Sequence, residues 1–260
     1  MGVQSRRRIL LGLTATLGAT AHAVAAADPV PAARAGAWPA PIEDDAIYHR
    51  LLLDQLEYRA GDAHEEALAW DVLGWIGGDD RRLWLESEGH YRTRDDQTEI
   101  GRLDVYYGRL VAPYWDLLGG VGYQHHAGME DSPERLAAVI ALHGLLPYRL
   151  EIDATGRLDE QGLLTGRLEV ESELLVTQRL ILQPRLELSA AAREDRTVDL
   201  DTGFTSAAAG LRLRYEIDRQ FAPYVGWFWT RKVAGTADLA RERDEAVRES
   251  MLVAGVRIWF

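Results

Sequence analysis

The chain has no cysteine, so neither a disulfide framework nor a thiolate metal site is open to it. Beyond residue 27 it also lacks any long apolar run. A membrane-spanning helix needs roughly 20 consecutive apolar residues, so the body of the chain is not a helical membrane protein, and insertion requires a closed barrel. Methionine is scarce: past the first 27 residues only Met129 and Met251 remain. Nor does any serine sit beside a histidine in a way that suits ester hydrolysis; His143 has no serine two residues away. No catalytic residue is assigned, and an enzyme is not expected. The formal charge of -12 argues against nucleic acid as a partner and is compatible with cations, although solubility alone explains an acidic balance equally well.

The amino terminus reads as an export signal, residues 1–27. Arg6, Arg7 and Arg8 precede an apolar run from Ile9 to Ala21, followed by small residues at Ala23, Ala25 and Ala27. Ser5-Arg6-Arg7-Arg8 also looks like a twin-arginine signal, but a barrel crosses the inner membrane unfolded, which favours the general secretory route. Residues 28–47 contain Pro29, Pro31, Pro39 and Pro41 among alanine, glycine and acidic residues, a composition expected of a disordered periplasmic linker.

From residue 48 to 260 short β-type segments alternate with turn-forming clusters. Twelve are long enough to cross a bilayer: approximately 49–59, 66–76, 81–92, 99–110, 114–126, 135–146, 148–157, 163–175, 180–191, 204–217, 221–232 and 249–260. In the last, Leu252, Ala254, Val256, Ile258 and Phe260 share one face and Val253, Gly255, Arg257 and Trp259 the other, a strand between lipid and a polar lumen. Ending on Phe260 is also a habit of bacterial outer-membrane barrels. Arg167, Glu169, Glu171 and Glu173 oppose Leu168, Val170 and Leu174, and Arg212, Arg214 and Glu216 oppose Leu211, Leu213 and Tyr215. Arginine at the bilayer midplane costs roughly 2–4 kcal/mol, so these charges face a lumen or, in a soluble sandwich, water. Connections alternate between tight (111–113, 146–147, 176–179, 218–220) and long or charged (93–98, 127–134, 192–203, 233–248). The expected fold is an all-β, antiparallel up-and-down transmembrane barrel of about 12 strands. Pro184, in mid-strand, predicts a bulge or a broken ladder bond. Aromatics near the tight turns (Tyr114, Trp115, Tyr148, Phe221, Tyr224, Trp259, Phe260) suit a headgroup girdle or a core equally.

By parity the lumen holds Glu57, Arg59, Asp71, Glu86, Glu88, His90, Arg102, Asp104, His126, His143, Arg149, Glu151 and Asp153. Both signs are abundant, so an Arg/Glu network filling much of the interior is expected, and a constricted passage rather than an open pore. Two sets of residues are candidates for metal binding. His125 and His126 stand close to Met129, and imidazole with thioether suits copper; neighbouring histidines on a strand face opposite ways, so both serve one ion only if the strand has ended. Glu86, Glu88 and His90 share a face, but two-residue spacing along a strand is about 7 Å, so a compact shell needs ligands from neighbouring strands, such as His126 or His143.

Several stretches carry a further signal, in order along the chain: LLLDQLEYR at Leu51–Arg59, Trp70-Asp71 with Gly74-Trp75, LWLESEG at Leu83–Gly89, APYWD at Ala112–Asp116, ELLVTQRLILQPRLE at Glu173–Glu187, GLRLRYEI at Gly210–Ile217, FAPY at Phe221–Tyr224 and VAGVR at Val253–Arg257. Over about four-fifths of its length the chain resembles the copper resistance protein B family of Gram-negative outer-membrane proteins. The resemblance implies copper ions as cargo, outer-membrane lipid as surroundings and periplasmic copper resistance proteins as partners. Members of that family often carry a Met- and His-rich segment before the barrel; Asp28 to Ile47 contains neither residue type, which shifts the expected ligands to His125, His126, Met129, Glu86, Glu88 and His90. The expected function is binding and passing copper ions through an acidic lumen; the alternative is a plugged structural barrel anchoring a periplasmic partner.

Overall fold

Alternation with period two places the apolar set of each strand on one side and the charged set on the other, and closing the sheet separates lipid from lumen. The computed structural model describes residues 46–61, 66–94, 96–126 and 133–260. The expected export signal and nearly all of the expected linker lie outside these residues.

The chain forms twelve antiparallel strands: β1 (Tyr48–Gly61), β2 (Glu66–Gly77), β3 (Arg81–Arg92), β4 (Gln97–Ala112), β5 (Trp115–His125), β6 (Glu134–Leu146), β7 (Leu150–Asp159), β8 (Leu164–Ser172, resuming at Leu174–Leu175), β9 (Leu180–Ala191), β10 (Gly203–Tyr215), β11 (Phe221–Lys232) and β12 (Arg248–Trp259). Each pairs with its neighbours in sequence, and β12 pairs with β1 (Glu57 opposite Gly255) to close the barrel. Just past β12, Phe260 exchanges backbone hydrogen bonds with Leu51, at 2.9 and 3.1 Å. Closure leaves no edge, which hydrocarbon requires because it offers no partner for a free N–H or C=O.

The strand spans agree with those expected to within a few residues. Pro184 keeps its register with Leu211 on β10, while on its other side β8 is interrupted between Ser172 and Leu174. The broken ladder falls where a residue without an N–H meets its neighbour. On β1 the register shifts at Asp54. That bulge turns Asp54 and Gln55 both inward: Asp54 reaches Arg257 on β12 and Gln55 reaches Arg212 on β10.

Outward faces are apolar, with Val121 67% and Leu252 69% exposed, whereas Glu57 and Asp104 inside are 0% exposed. At the short-turn end Trp259, on the Arg257 face of β12, is exposed at the rim, whereas Tyr114, Tyr148, Phe221 and Phe260 are outward-facing, as a girdle requires. Tyr224 is not part of it: the side chain is buried and donates to Glu57 at 3.0 Å. Arg149 is also not lumenal. It sits exposed in the turn Pro147–Arg149 with a φ of 60°.

The long-loop end holds an element that the alternation of loop lengths did not predict, helix α1 (Ala234–Glu242) in the β11–β12 connection. Its Thr236, Ala237, Leu239 and Ala240 are buried, and Thr236 Oγ1 accepts from the Asp201 backbone at 3.0 Å. Arg243, just after it, reaches Asp199 at 2.7 Å in the β9–β10 connection, and Arg135 of β6 contacts both Asp195 and Thr197 there. These connections are packed against one another.

Placing arginine at Val121, mid-strand on the outer face, is expected to destabilise the barrel by about 2–4 kcal/mol. Reversible folding into lipid vesicles measures it. A loss below about 0.5 kcal/mol would contradict a lipid-facing Val121.

Candidate functional site

The lumen is crossed by ion pairs joining strands far apart in the sequence. Arg167 on β8 reaches Glu88 on β3 at 2.6 Å and Glu187 on β9 at 2.7 Å. Arg185 on β9 reaches Glu169 at 2.6 Å and Asp71 on β2 at 3.4 Å. Arg102 on β4 approaches Glu86 at 3.1 Å and Glu88 at 3.6 Å. Nearer the β1–β12 closure, Glu57 accepts from Arg212 at 2.9 Å and Arg59 at 2.8 Å. Asp104 accepts from Arg157 at 2.7 Å and Tyr106 at 2.7 Å. Charges withdrawn from water this far must be paired, and the network meets that demand.

Glycine makes room for it. A Cβ at Gly122 would collide with the side chains of Asp104 and Arg157, and one at Gly108 with the indole of Trp84.

Among the described residues, the lumen holds a larger and a smaller cavity that meet at one layer of side chains. The larger, about 660 Å³, reaches the short turn at Pro113 and Tyr114 and is lined by eight carboxylates against five guanidinium groups. The smaller, about 350 Å³, lies towards the long-loop end, where four guanidinium groups meet three carboxylates. Arg102 lines both, and around it Glu88, Arg167, Glu169, Arg185 and Glu187 form the layer between them. Among the described residues, carboxylates therefore outnumber guanidinium groups around the larger cavity but not around the smaller one.

Of the six expected metal ligands, the five within the described residues are spread along the barrel. Glu86 lines the larger cavity and Glu88 belongs to the ion-paired layer. His90 lies near the loop end, 3.6 Å from Glu99. His126 follows the last residue of β5 and lines the smaller cavity. Burial, then the nearby guanidinium of Arg135, push its imidazole below its ordinary pKa and keep it neutral at pH 7. His125 has the opposite parity and lines neither cavity. Met129, with Glu130 and Asp131, lies outside the described residues.

Among the described residues, one trio brings potential metal ligands together: Glu86 on β3, His143 on β6 and Asp153 on β7, whose ligand atoms all lie within 4.8 Å of one another. His143 Nε2 is 2.8 Å from Asp153 and 3.3 Å from Glu86. Asp153 was legible as lumenal, but its meeting with Glu86 depends on the β6–β7 register, which sets His143 opposite Asp153, and on the inward reach of β3.

The comparisons with known proteins fit this architecture. The profile described as copper resistance protein B precursor matches residues 47–260. The chain belongs to the copper resistance protein B family. It is 38% identical over 219 residues to copper resistance protein B of Escherichia coli, covering 84% of this chain and 72% of that protein. It is 40% identical over 220 residues to the copper resistance protein B homolog of Pseudomonas syringae pv. tomato (strain ATCC BAA-871 / DC3000), with the same coverages. Among solved structures, the NanC porin superposes with a TM-score of 0.50 at 13% identity, over 81% of this chain and 99% of that one. The family supports a role in copper resistance, the porin likeness an outer-membrane type of barrel, and together they point to a non-enzymatic role.

Asp104→Ala would leave Arg157 buried without a carboxylate, and the expected loss is about 3–5 kcal/mol. Removing both charges, in Asp104→Ala/Arg157→Leu, is expected to cost less than Asp104→Ala alone. Urea unfolding in lipid vesicles tests this; a double variant as unstable as the sum of the singles would show that the two charges are not coupled.

Proposed function

We propose that the barrel stands in the outer membrane with its short turns towards the periplasm, binds copper ions in its lumen and passes them between its two cavities. The observation that carries this reading is that only side chains separate the cavities. Glu88, Arg102, Arg167, Glu169, Arg185 and Glu187 make the partition, while Val198 and Leu200 of the β9–β10 connection line the smaller cavity on its loop side. Side chains rearrange on nanosecond timescales when solvated and more slowly when paired, so such a layer is a barrier that a cation crosses by exchanging ion partners.

Carboxylates on both sides of the layer would hand a copper ion from one to the next. His126 and Met129, with His125, would offer ligands at the loop end, while Glu86, Glu88 and His90 line the route inward. Periplasmic copper resistance proteins would exchange the ion at the short-turn mouth.

The density of pairing in the layer favours a second reading, a plugged barrel that anchors a periplasmic partner without conducting. Planar-bilayer current and copper uptake into proteoliposomes separate the two. The conducting reading expects copper uptake that falls when His125, His126, Met129, Glu86, Glu88 and His90 are substituted together. It also expects conductance that rises in Glu88→Gln/Arg167→Gln, where two charges leave the layer. No current, no copper uptake and no response to either set of substitutions would sink it in favour of the anchor.

A further inference from the structure

We infer that Glu86, His143 and Asp153 form a built site for one Cu²⁺ ion on the wall of the larger cavity. This rests on the reading of the lumen as a copper-binding interior and specifies where and in which oxidation state the metal is held.

Three independent features carry it. The first is convergence. Ligand bonds of about 2.0–2.2 Å at angles of 90–110° set neighbouring donor atoms roughly 2.9–3.6 Å apart. His143 Nε2 stands 2.8 Å from Asp153 Oδ2 and 3.3 Å from Glu86 Oε1, and the three ligand atoms lie within 4.8 Å of one another, so the imidazole is already near the spacing of a shared ion from each carboxylate.

The second is the state of those atoms. Glu86 is 1% exposed, yet its Oε1, the oxygen that faces His143, has no well-aligned hydrogen bond. Its neighbour His143 Nε2 lies within ion-pair distance but off the hydrogen-bonding direction. A carboxylate buried to this degree is normally fully hydrogen-bonded.

The third is the support behind each ligand. Thr155 Oγ1 donates to Asp153 Oδ1 at 2.9 Å, leaving Oδ2 turned towards His143. Arg102 Nη1 lies 3.1 Å from Glu86 Oε2, leaving Oε1 turned the same way. The indole of Trp84 meets the His143 ring edge-on, with centroids 5.4 Å apart and planes at 86°. Each carboxylate is thus held by one oxygen and offers the other, the arrangement by which outer contacts orient metal ligands.

One imidazole and two carboxylates form a hard to borderline donor set with no sulfur. Such a set suits Cu²⁺ over Cu⁺, and among common divalent ions copper binds such donors most tightly. Two carboxylates beside a single guanidinium also leave a negative charge for the dication to neutralise. The ion would reach the site from the short-turn end, to which the cavity extends.

The full-length protein, purified from membranes in detergent, is titrated with copper(II) sulfate and followed by calorimetry and by electron paramagnetic resonance. Wild type is expected to bind one Cu²⁺ with nitrogen coupling from a single imidazole at this site. His143→Ala should abolish that coupling, and His143→Ala and Asp153→Asn should each weaken binding by about 100-fold, since altered outer contacts alone cost 10–100-fold. Reduction to Cu⁺ with ascorbate should weaken binding in wild type. Heat-dependent migration on gels verifies that each variant is a folded barrel; should His143→Ala fail, His143→Gln keeps the size of the side chain and tests the same nitrogen. Copper binding with imidazole coupling that survives in His143→Ala and disappears in His126→Ala would overturn this site while leaving the copper-binding lumen standing. No copper binding by folded wild type would overturn both.

Discussion

Closure of the backbone ladder is the constraint on which the rest of this molecule depends. In hydrocarbon an unpaired N–H or C=O costs several kcal/mol, so β12 must return to β1, and with twelve strands it does. Departures from the regular ladder are then informative. The gap in β8 falls opposite Pro184, which has no proton to donate. The bulge at Asp54 places two polar side chains inward in succession and so supplies a carboxylate for Arg257 and an amide for Arg212.

Closure also determines the chemistry of the interior. Once alternation has sent the arginines and carboxylates inward, they are removed from bulk water and have only one another. Pairs across the lumen, such as Arg167 with Glu88, follow from that confinement. The same confinement makes glycine necessary at Gly122 and Gly108, where a Cβ would strike a paired charge or an indole. A lumen divided by side chains differs in kind from one plugged by a folded segment, because exchanging ion partners requires no backbone rearrangement.

Much of this was legible in the sequence because the barrel is written in two strong periods. The two-residue alternation of Arg212-Leu213-Arg214 and its counterparts gave strand faces, and alternating short and long connections gave topology. Contacts between non-adjacent strands were not legible. Parity placed Glu86, His143 and Asp153 in the lumen, and neighbouring strands were named as the needed source of ligands, but strand stagger and the reach of each side chain decided that His143 and not His126 approaches Glu86. Helix α1 was missed for a different reason: it has no side-chain cap at Val233 and its short buried face forms only against the neighbouring connections. Tyr224 shows the limit of reading aromatics by their nearness to turns. It is three residues past the start of β11, yet parity and the hydrogen bond to Glu57 take it inside.

Net charge alone does not say where a cation is drawn. The chain carries -12 overall, yet guanidinium groups outnumber carboxylates around the loop-end cavity and the reverse holds at the short-turn end. Low-dielectric walls focus the field of the groups that line a cleft and screen it less than solvent screens surface charge. A cation entering this lumen would therefore be held more strongly on the short-turn side of the ion-paired layer, whichever way it travelled. On the proposed reading, ligands near the loop mouth would serve an ion in passage, and the acidic cavity would be where it rests.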